Sequence, residues 1–594
     1  MSFGAIMKEH SKFLKLGKRD MGKTVLLTLV LALAIPAAAR NKKVASDLAQ
    51  SGNGALDVIV QFTVPPTQKH YDKISKRGGT VKHDLSLVNG LHASMTRDQV
   101  DDLATDPEVT HISLDHAVSN SLSNAAPAVN APYAWSKGLD GSGLSVAVID
   151  SGIGDKKTVG FKKSDLNNWH TGATRVVYSQ SWVNDGNGWL DAYGHGTHVA
   201  GIIAGNGYNS TGSQYTQTFK GIAPNVNLVI LRVLDGNGRG ADSSVIAAIQ
   251  TAIQLKNTYN IRVINLSLGR PVFESYTVDP LCQAVEAAYK AGIVVVAAAG
   301  NDGRDNSVGT DGYATITAPG NDPYVITVGA MKSMGTPTRA DDLIATYSSK
   351  GPTAIDHIVK PDLVAPGNRM ISVLADPTSA IATTYTANIV PLSYYTSGAP
   401  STGSMAYFTL SGTSMAAPVV SGAVALLLQS ERSLTPDQVK ARLMLTAYKT
   451  FPTSSSYTEP TTGITYTDQY DAFTIGAGYL DIQAALSSTA LASGVAKSPT
   501  AQYDPTTNSV YFVKDLSTMW GTSAMWGASA VWGANVFVGS QSAMWGSSAI
   551  WGSSAMWGTG TTQGFSAMWG TSAMWGTSTT DNTESIGILI NGEN

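Results

Sequence analysis

The sequence predicts an α/β protein built on an open parallel sheet with helices on both faces. A small α+β unit precedes it and a tryptophan-rich repeat follows it. Three observations carry this expectation. Between Leu144 and Leu486 short β-branched runs alternate with helical patterns. Asp57 to Ala117 reads as β-α-β-β-α-β, the ferredoxin-like order. Leu516 to Thr580 contains no charged residue yet holds eight of the twelve tryptophans.

At 594 residues the chain is long enough for several cores, since a domain takes roughly 150 residues. Forty basic against forty-three acidic side chains leave a net charge of -3, and no basic stripe runs through the sequence. Nucleic acid is therefore not an expected partner. Composition also excludes a coiled coil, a collagen, a polytopic membrane protein and a disulfide scaffold. Cys282 is the one cysteine, so neither an intrachain disulfide nor a Cys-based metal cluster can form. Its place in the helical pattern LCQAVEAAY predicts a buried structural thiol.

Residues 1–39 read as a signal peptide. Lys12 to Lys23 supply a basic flank, Val25 to Ile35 an uncharged apolar core too short to span a bilayer, and Ala37-Ala38-Ala39 a small-residue cleavage site. Met21 is an alternative start. The chain is thus expected to be secreted and extracellular. In the 40–120 segment, with its core at 57–117, DVIVQF is a strand and PTQKHYDKISKRGG a helix. Two strands meet near Asn89-Gly90, TRDQVDDLA is a second helix and VTHISLD a last strand. Ser119 to Pro132, small and polar, reads as a linker open to proteolysis.

In the 121–490 block, LSVAVI, NLVILRV, VINLSL, IVVVAAA and YVITVG are continuous apolar runs, as strands buried on both faces should be. Helical patterns intervene at 243–256 and 281–291. In such a sheet ligands bind beyond the carboxyl ends of the strands, and polar residues fall there. Asp150 follows LSVAVI, where a carboxylate can orient a histidine. His195 opens GHGTHVAGIIAG at a helix start. Asn301 ends IVVVAAAGN, where its amide can donate to an oxyanion. Ser414 stands at the entrance of a long apolar helix, whose N-terminus favours developing negative charge. Singly, each has an ordinary explanation as a cap or turn residue, and His198 reads as a packed helix histidine. Together, the order Asp, His, Ser along one parallel-sheet domain is that of subtilisin-type hydrolases.

Seven segments, AVIDSGIG, GHGTHVAG, INLSLG, AAAGNDG, YSSKGPT, KPDLVAPG and SGTSMAAP, occur in that order. In these the chain resembles the subtilisin-like serine proteases over Ala134 to Leu486, and the 57–117 unit resembles the family's inhibitory propeptide. The resemblance implies a subtilisin-like fold. It makes Ser414 the nucleophile, His195 the base, Asp150 its orienter and Asn301 an oxyanion donor, in a serine endopeptidase acting on protein or peptide substrates. It implies a substrate-binding edge at Ser267, Leu268 and Gly269, a primary pocket walled by Ala298, Ala299 and Gly300, and Thr317 at the pocket floor. No acidic residue lies in these segments, which points to a mid-sized apolar side chain rather than Lys or Arg. The 40–120 unit becomes an intramolecular inhibitor, removed by self-cleavage between His116 and Ala131. No cofactor is required for the chemistry. For structural calcium the candidate oxygen cluster is Asp185, Asn187 and Asp191, set against an ordinary polar turn; the Asn206 to Lys220 segment lacks the carboxylates of a strong calcium loop.

The 491–594 region carries S-A-M-W-G-T hexapeptides across 516–580, with tryptophans at 520, 526 and 532, then 545, 551 and 557, then 569 and 575. A step of six is even, so in an extended chain all tryptophans share one face. A stacked β-repeat, a Trp surface for glycans or the cell surface, and an association-prone low-complexity tail all fit this pattern. The rival function is accordingly a non-catalytic cell-surface or glycan-binding protein acting through the repeat. An esterase or lipase is disfavoured because Ser414 lies in G-T-S-M-A rather than G-x-S-x-G.

Overall fold

The computed structural model describes residues 43–44, 48, 54–86, 89–114, 122–154, 164–168, 171–307, 309–398, 403–460, 462–504, 509–512 and 582–593. The expected signal segment 1–39 and the repeat 516–580 lie outside the described residues. The chain divides into two compact units, Met1–Val118 and Ser119–Asn594.

In the first unit, β1 (Ala55–Phe62), α1 (Gln68–Ser75), β2 (Thr80–Leu85), β3 (Gly90–Thr96), α2 (Arg97–Leu103) and β4 (Val109–Leu114) follow one another. The strands pair antiparallel in the order β2-β3-β1-β4. Strand alternation sends Val58, Val60 and Phe62 to one face, where Ile74 of α1 and Val100 and Leu103 of α2 close over them. Both helices start at a capping box, Thr67 with His70 and Thr96 with Gln99. Asn89, with a φ of 53°, turns the chain between β2 and β3.

The second unit is a doubly covered parallel sheet. Its strands are β5 (Ser145–Asp150), β6 (Val176–Ser181), β7 (Asn227–Arg232), β8 (Ile261–Leu266), β9 (Val294–Ala298), β10 (Ile326–Lys332), β11 (Leu343–Ile344) and β12 (Leu363–Pro366). They run in the order β11-β10-β9-β8-β5-β7-β6, with β12 also on β10. All pairs are parallel except β10 with β11. Along β5, Val146 and Val148 join one core with Val199 and Ile202 of α3 (His195–Ala204) and the apolar face of α6 (Thr413–Ser430). Ala147 and Ile149 join the other, against Val245 and Ile249 of α4 (Asp242–Tyr259) and Leu281 and Val285 of α5 (Pro280–Lys290). Both faces are covered, so both sets of side chains are apolar. Helix α6 is the one helix among the described residues long and apolar enough to cross a membrane; it is the buried core helix of this unit.

A smaller sheet of β13 (Met370–Val373), β14 (Ile389–Pro391) and β15 (Gly403–Leu410), in the order β13-β15-β14, feeds the chain into α6. Chain order sets the rest of the site: from central β5 the chain winds to β6 and β7 on one side, then crosses to β8, β9 and β10 on the other. Asp150, at the carboxyl end of β5, therefore stands at the topological switch point.

The expected linker is corrected over its described part. Leu122–Ala128 and Ala131–Ser136 are helical, and Ala125, Ala126, Val129, Ala131 and Ala134 are buried in the main core. Alanines that look like linker composition are here the small side chains that fit a tight contact. Residues past 490 also pack on this unit. Ser498 donates to Asp362 at 2.6 Å, Val359 N–H donates to the Pro499 carbonyl, and Ala501 N–H donates to the His357 carbonyl. Helix α7 (Asn582–Asn591) returns to the same unit, with Ile588 and Ile590 in its core.

Candidate active site

Close backbone approach builds the site. A Cβ on Gly196 would stand 2.4 Å from the Gly152 carbonyl oxygen and 3.2 Å from the Asp150 Cβ. Only glycine lets the start of α3 press against the loop after β5. That contact brings His195 Nδ1 to 2.8 Å from Asp150 Oδ1, with both side chains buried. A carboxylate only accepts hydrogen bonds, so Nδ1 carries the proton and Nε2 is the basic nitrogen. Ser151 N–H donates to the same Asp150 oxygen at 2.7 Å. Burial alone would depress the His195 pKa, but the Asp150 charge and hydrogen bond, with Asp191 behind them, outweigh it and raise it above its ordinary value. His198 is different. It is fully buried, its Nε2 lies 3.0 and 3.1 Å from the carbonyls of Met370 and Phe408, and burial pushes its pKa down to about 3. It is a neutral packing residue.

Asp191 is the clamp of this corner. Its buried carboxylate accepts from Ser151 Oγ, Gly194 N–H, Thr197 N–H and Thr197 Oγ1, all at 2.7–2.8 Å. It thereby ties the β5 loop to the first turn of α3. Asp185 is engaged elsewhere, in an ion pair with Arg232. Of the calcium candidates Asp185, Asn187 and Asp191, the two carboxylates are thus each engaged by protein donors. Among the described residues no group of three or more His, Cys, Asp or Glu side chains is placed to hold a metal.

Ser414 sits in the first turn of α6. Gly412, with a φ of 138°, makes the bend from β15 into that helix. The Ser414 hydroxyl donates to the Ser267 carbonyl at 3.1 Å, and the Ser267 hydroxyl donates to the Ser414 carbonyl at 2.8 Å, so the helix start and the end of β8 hold each other. Across from it, Asn301 Oδ1 accepts from Thr413 N–H at 2.9 Å. That donor can only meet the amide oxygen, which orients Nδ2 as the amide's donor.

Thr317 lies between two glycines. A Cβ on Gly269 would come within 2.5 Å of its Oγ1, and one on Gly300 within 2.8 Å of its Cγ2. Ala298, Gly300, Ser267, Leu268, Gly269 and Thr317 line one cleft of about 610 Å³ together with His195, Asn301 and Ser414. Ala299 is buried behind this wall. Asp242 also borders the cleft, but its carboxylate is paired with Arg270 at 2.8 Å. Cys282 is fully buried, with Sγ 3.3 Å from Asn321 Oδ1, and burial raises its pKa strongly. A thiol reagent is expected to label it only on unfolding, and fast labelling of the native protein would contradict this placement.

A buried carboxylate, an imidazole, a serine hydroxyl and an oriented amide around one cleft, at the carboxyl edge of a parallel sheet, belong to a serine endopeptidase. The chain is a member of the subtilase family, whose model matches residues 141–478. It is 34% identical over 412 residues to "Serine protease AprX" of Bacillus subtilis (strain 168), covering 68% of this chain and 83% of that protein. It is 32% identical over 433 residues to "Subtilisin E" of the same organism, covering 72% of this chain and 94% of that protein. Similarity to "Thermostable alkaline protease" of Halalkalibacterium halodurans is 30% over 369 residues, 62% of this chain and 80% of that protein.

Sequence reasoning did not find the clamping role of Asp191 or the part Thr413 plays in orienting Asn301. Both signals were local: a carboxylate four residues before His195, and a donor next to Ser414. Nothing in the sequence pointed to Ile586 and Leu589, which also line the cleft.

Proposed function

We propose that this chain is a secreted serine endopeptidase made as a self-processing zymogen, with Asp150, His195 and Ser414 as its triad and Asn301 in its oxyanion hole. The observation that carries the reading is the 2.8 Å Asp150–His195 hydrogen bond in the cleft that Ser414 and Asn301 also line. In the reaction, the Ser414 hydroxyl turns from the Ser267 carbonyl towards His195 Nε2 and gives it the proton. Its oxygen bonds to the scissile carbonyl carbon, and the carbonyl oxygen takes the negative charge, facing Asn301 Nδ2 and the Ser414 N–H. Collapse breaks the C–N bond, and His195 returns its proton to the leaving amine. Water then repeats the sequence and releases the acid. Asp150 keeps the tautomer fixed and stabilises the imidazolium.

The substrate lies along Ser267, Leu268 and Gly269, with its acyl-side side chain in the pocket of Ala298, Ala299, Gly300 and Thr317. With Asp242 neutralised by Arg270, that pocket selects a mid-sized apolar residue. The 40–120 segment is the inhibitor of its own catalytic unit. Residues 122–136 are built into the catalytic core, which favours a cut within 116–121. The signal segment and the absence of any disulfide fit export.

Expression of residues 40–594 tests the whole reading: a fragment of about eighty N-terminal residues should be removed while casein hydrolysis appears, and a sulfonyl fluoride should block both. A folded protein that keeps its N-terminus and cuts no protein would overturn it. Asn301→Ala should lower kcat about 100- to 1000-fold with little change in KM, because the amide meets the oxygen only once charge develops there.

A further inference from the structure

The end of the described chain belongs to the cleft. In α7 and the two residues after it, four backbone contacts and one side chain fasten the segment down. Leu589 carbonyl oxygen accepts from Ser411 N–H at 2.8 Å, three residues before the nucleophile. Ile590 carbonyl oxygen accepts from Asn388 at 2.6 Å, and the Asn368 amide bonds both the Glu593 N–H and its carbonyl, at 2.8 and 2.7 Å. The Glu593 carboxylate is fully buried. It accepts from Arg304 at 2.9 Å and from Thr346 N–H at 2.8 Å, and Lys332 Nζ lies 3.4 Å away. Two cations buried in the catalytic unit thus take a counter-charge from the far end of the sequence. A carboxylate is rarely buried so deeply without such partners, which marks residue 593 as an anchor rather than a frayed end.

The anchor fixes where two apolar side chains go. Ile586 and Leu589 line the same active-site cleft as Asn301, Asp302 and Arg304, and Ile586 remains exposed. The bonds of the segment are to Arg304, Thr346, Asn368, Asn388 and Ser411, so it approaches from the Asp302–Arg304 and Ser411–Gly412 flank. The flank of Ser267, Leu268, Gly269 and Thr317 is the acyl side in the reaction proposed above. A substrate chain crossing Ser414 must leave over the opposite flank.

We propose that residues 582–593 form a latch that completes the leaving-group half of the cleft, with Ile586 and Leu589 selecting an apolar residue directly after the scissile bond. This rests on the endopeptidase reading of the cleft. The exposed Ile586 and the half-buried Leu589 gain by covering an apolar substrate side chain and lose by stripping water from a charged one.

The test uses the full chain from residue 40 and internally quenched peptides that differ only in the residue after the scissile bond, with a peptide anilide lacking leaving-side residues as reference. Relative to the anilide, the wild type should cut before Leu about 10-fold better than before Asp. Ile586→Lys should reverse that preference, and Ile586→Ala should flatten it. Unchanged preferences in both variants, or equal losses on peptides and anilide, would overturn the latch while leaving the protease standing. Failure of the wild type to cleave the anilide and casein would instead remove the endopeptidase reading itself. Because Ile586 is exposed, these variants keep the buried anchor intact.

Discussion

Replacing Ser414 by alanine is expected to leave a folded chain that keeps its N-terminal segment and cleaves casein about 10⁶-fold more slowly. The size follows from how the site works. In the proposed reaction the hydroxyl is the atom that bonds to the substrate, and His195 has no other task than to move protons to and from it. Without Oγ, the Asp150–His195 pair has nothing to activate except water, and only the oxyanion donors and substrate binding still act. The fold should survive, because the substitution removes the 3.1 Å bond to the Ser267 carbonyl but keeps the 2.8 Å bond from Ser267 Oγ to the Ser414 backbone. Apolar packing along α6 is untouched. N-terminal mapping of the purified variant decides between self-processing and processing by another protease. A Ser414→Ala chain that matures when pure would sink the zymogen reading, while maturation only after adding wild-type enzyme would support cleavage between molecules.

What the sequence disclosed was set by how local the physics is. The strands of the main sheet stood out because each is buried on both faces, so Val146, Ala147, Val148 and Ile149 had to be apolar in an unbroken run. Asp150, His195, Asn301 and Ser414 were visible because each ends or begins an element within a recognisable segment. The approach of His195 to Asp150 was not visible: it depends on Gly196 lying against Gly152, a contact between residues far apart in the chain. The alanines after Leu122 misled because small residues suit both a linker and a tight helix contact, and only the partner surface distinguishes the two. Asp185 and Asp191 left two readings open for a related reason. Oxygen-rich turns resemble cation loops until Arg232 and the N-terminus of α3 are seen to occupy those oxygens. Segment 582–593 carried no signal at all, since Glu593 looks like any surface acid until Arg304 and Lys332 are found around it. Its return also means that the stretch bearing the tryptophan repeat runs between two segments, 498–501 and 582–593, that are both packed on the catalytic unit.

Asp150→Asn is expected to lower kcat/KM about 10⁴-fold at neutral pH and to move the acid limb of the pH profile downward. The proposed reaction needs neutral His195, so activity should fall as pH drops through the His195 pKa. In the native site that pKa is raised above the ordinary value of about 6.5, because the Asp150 charge and hydrogen bond overcome desolvation. The wild-type acid limb should therefore have its midpoint above about 6.5. In the native site one oxygen accepts from both the Ser151 N–H and Nδ1, and an asparagine keeps the shape of the side chain but removes the charge. It can also present its NH₂ to Nδ1, which then accepts, leaving the proton on Nε2, where it cannot serve as base. With the Asp150 contributions gone and only the weaker Asp191 charge left to oppose it, burial prevails and the limb should shift below about 6.5. Rate loss and limb shift separate the two roles of Asp150. A variant that loses rate with an unmoved acid limb would show that Asp150 orients the ring without setting its charge, and one that keeps its rate would remove Asp150 from the triad.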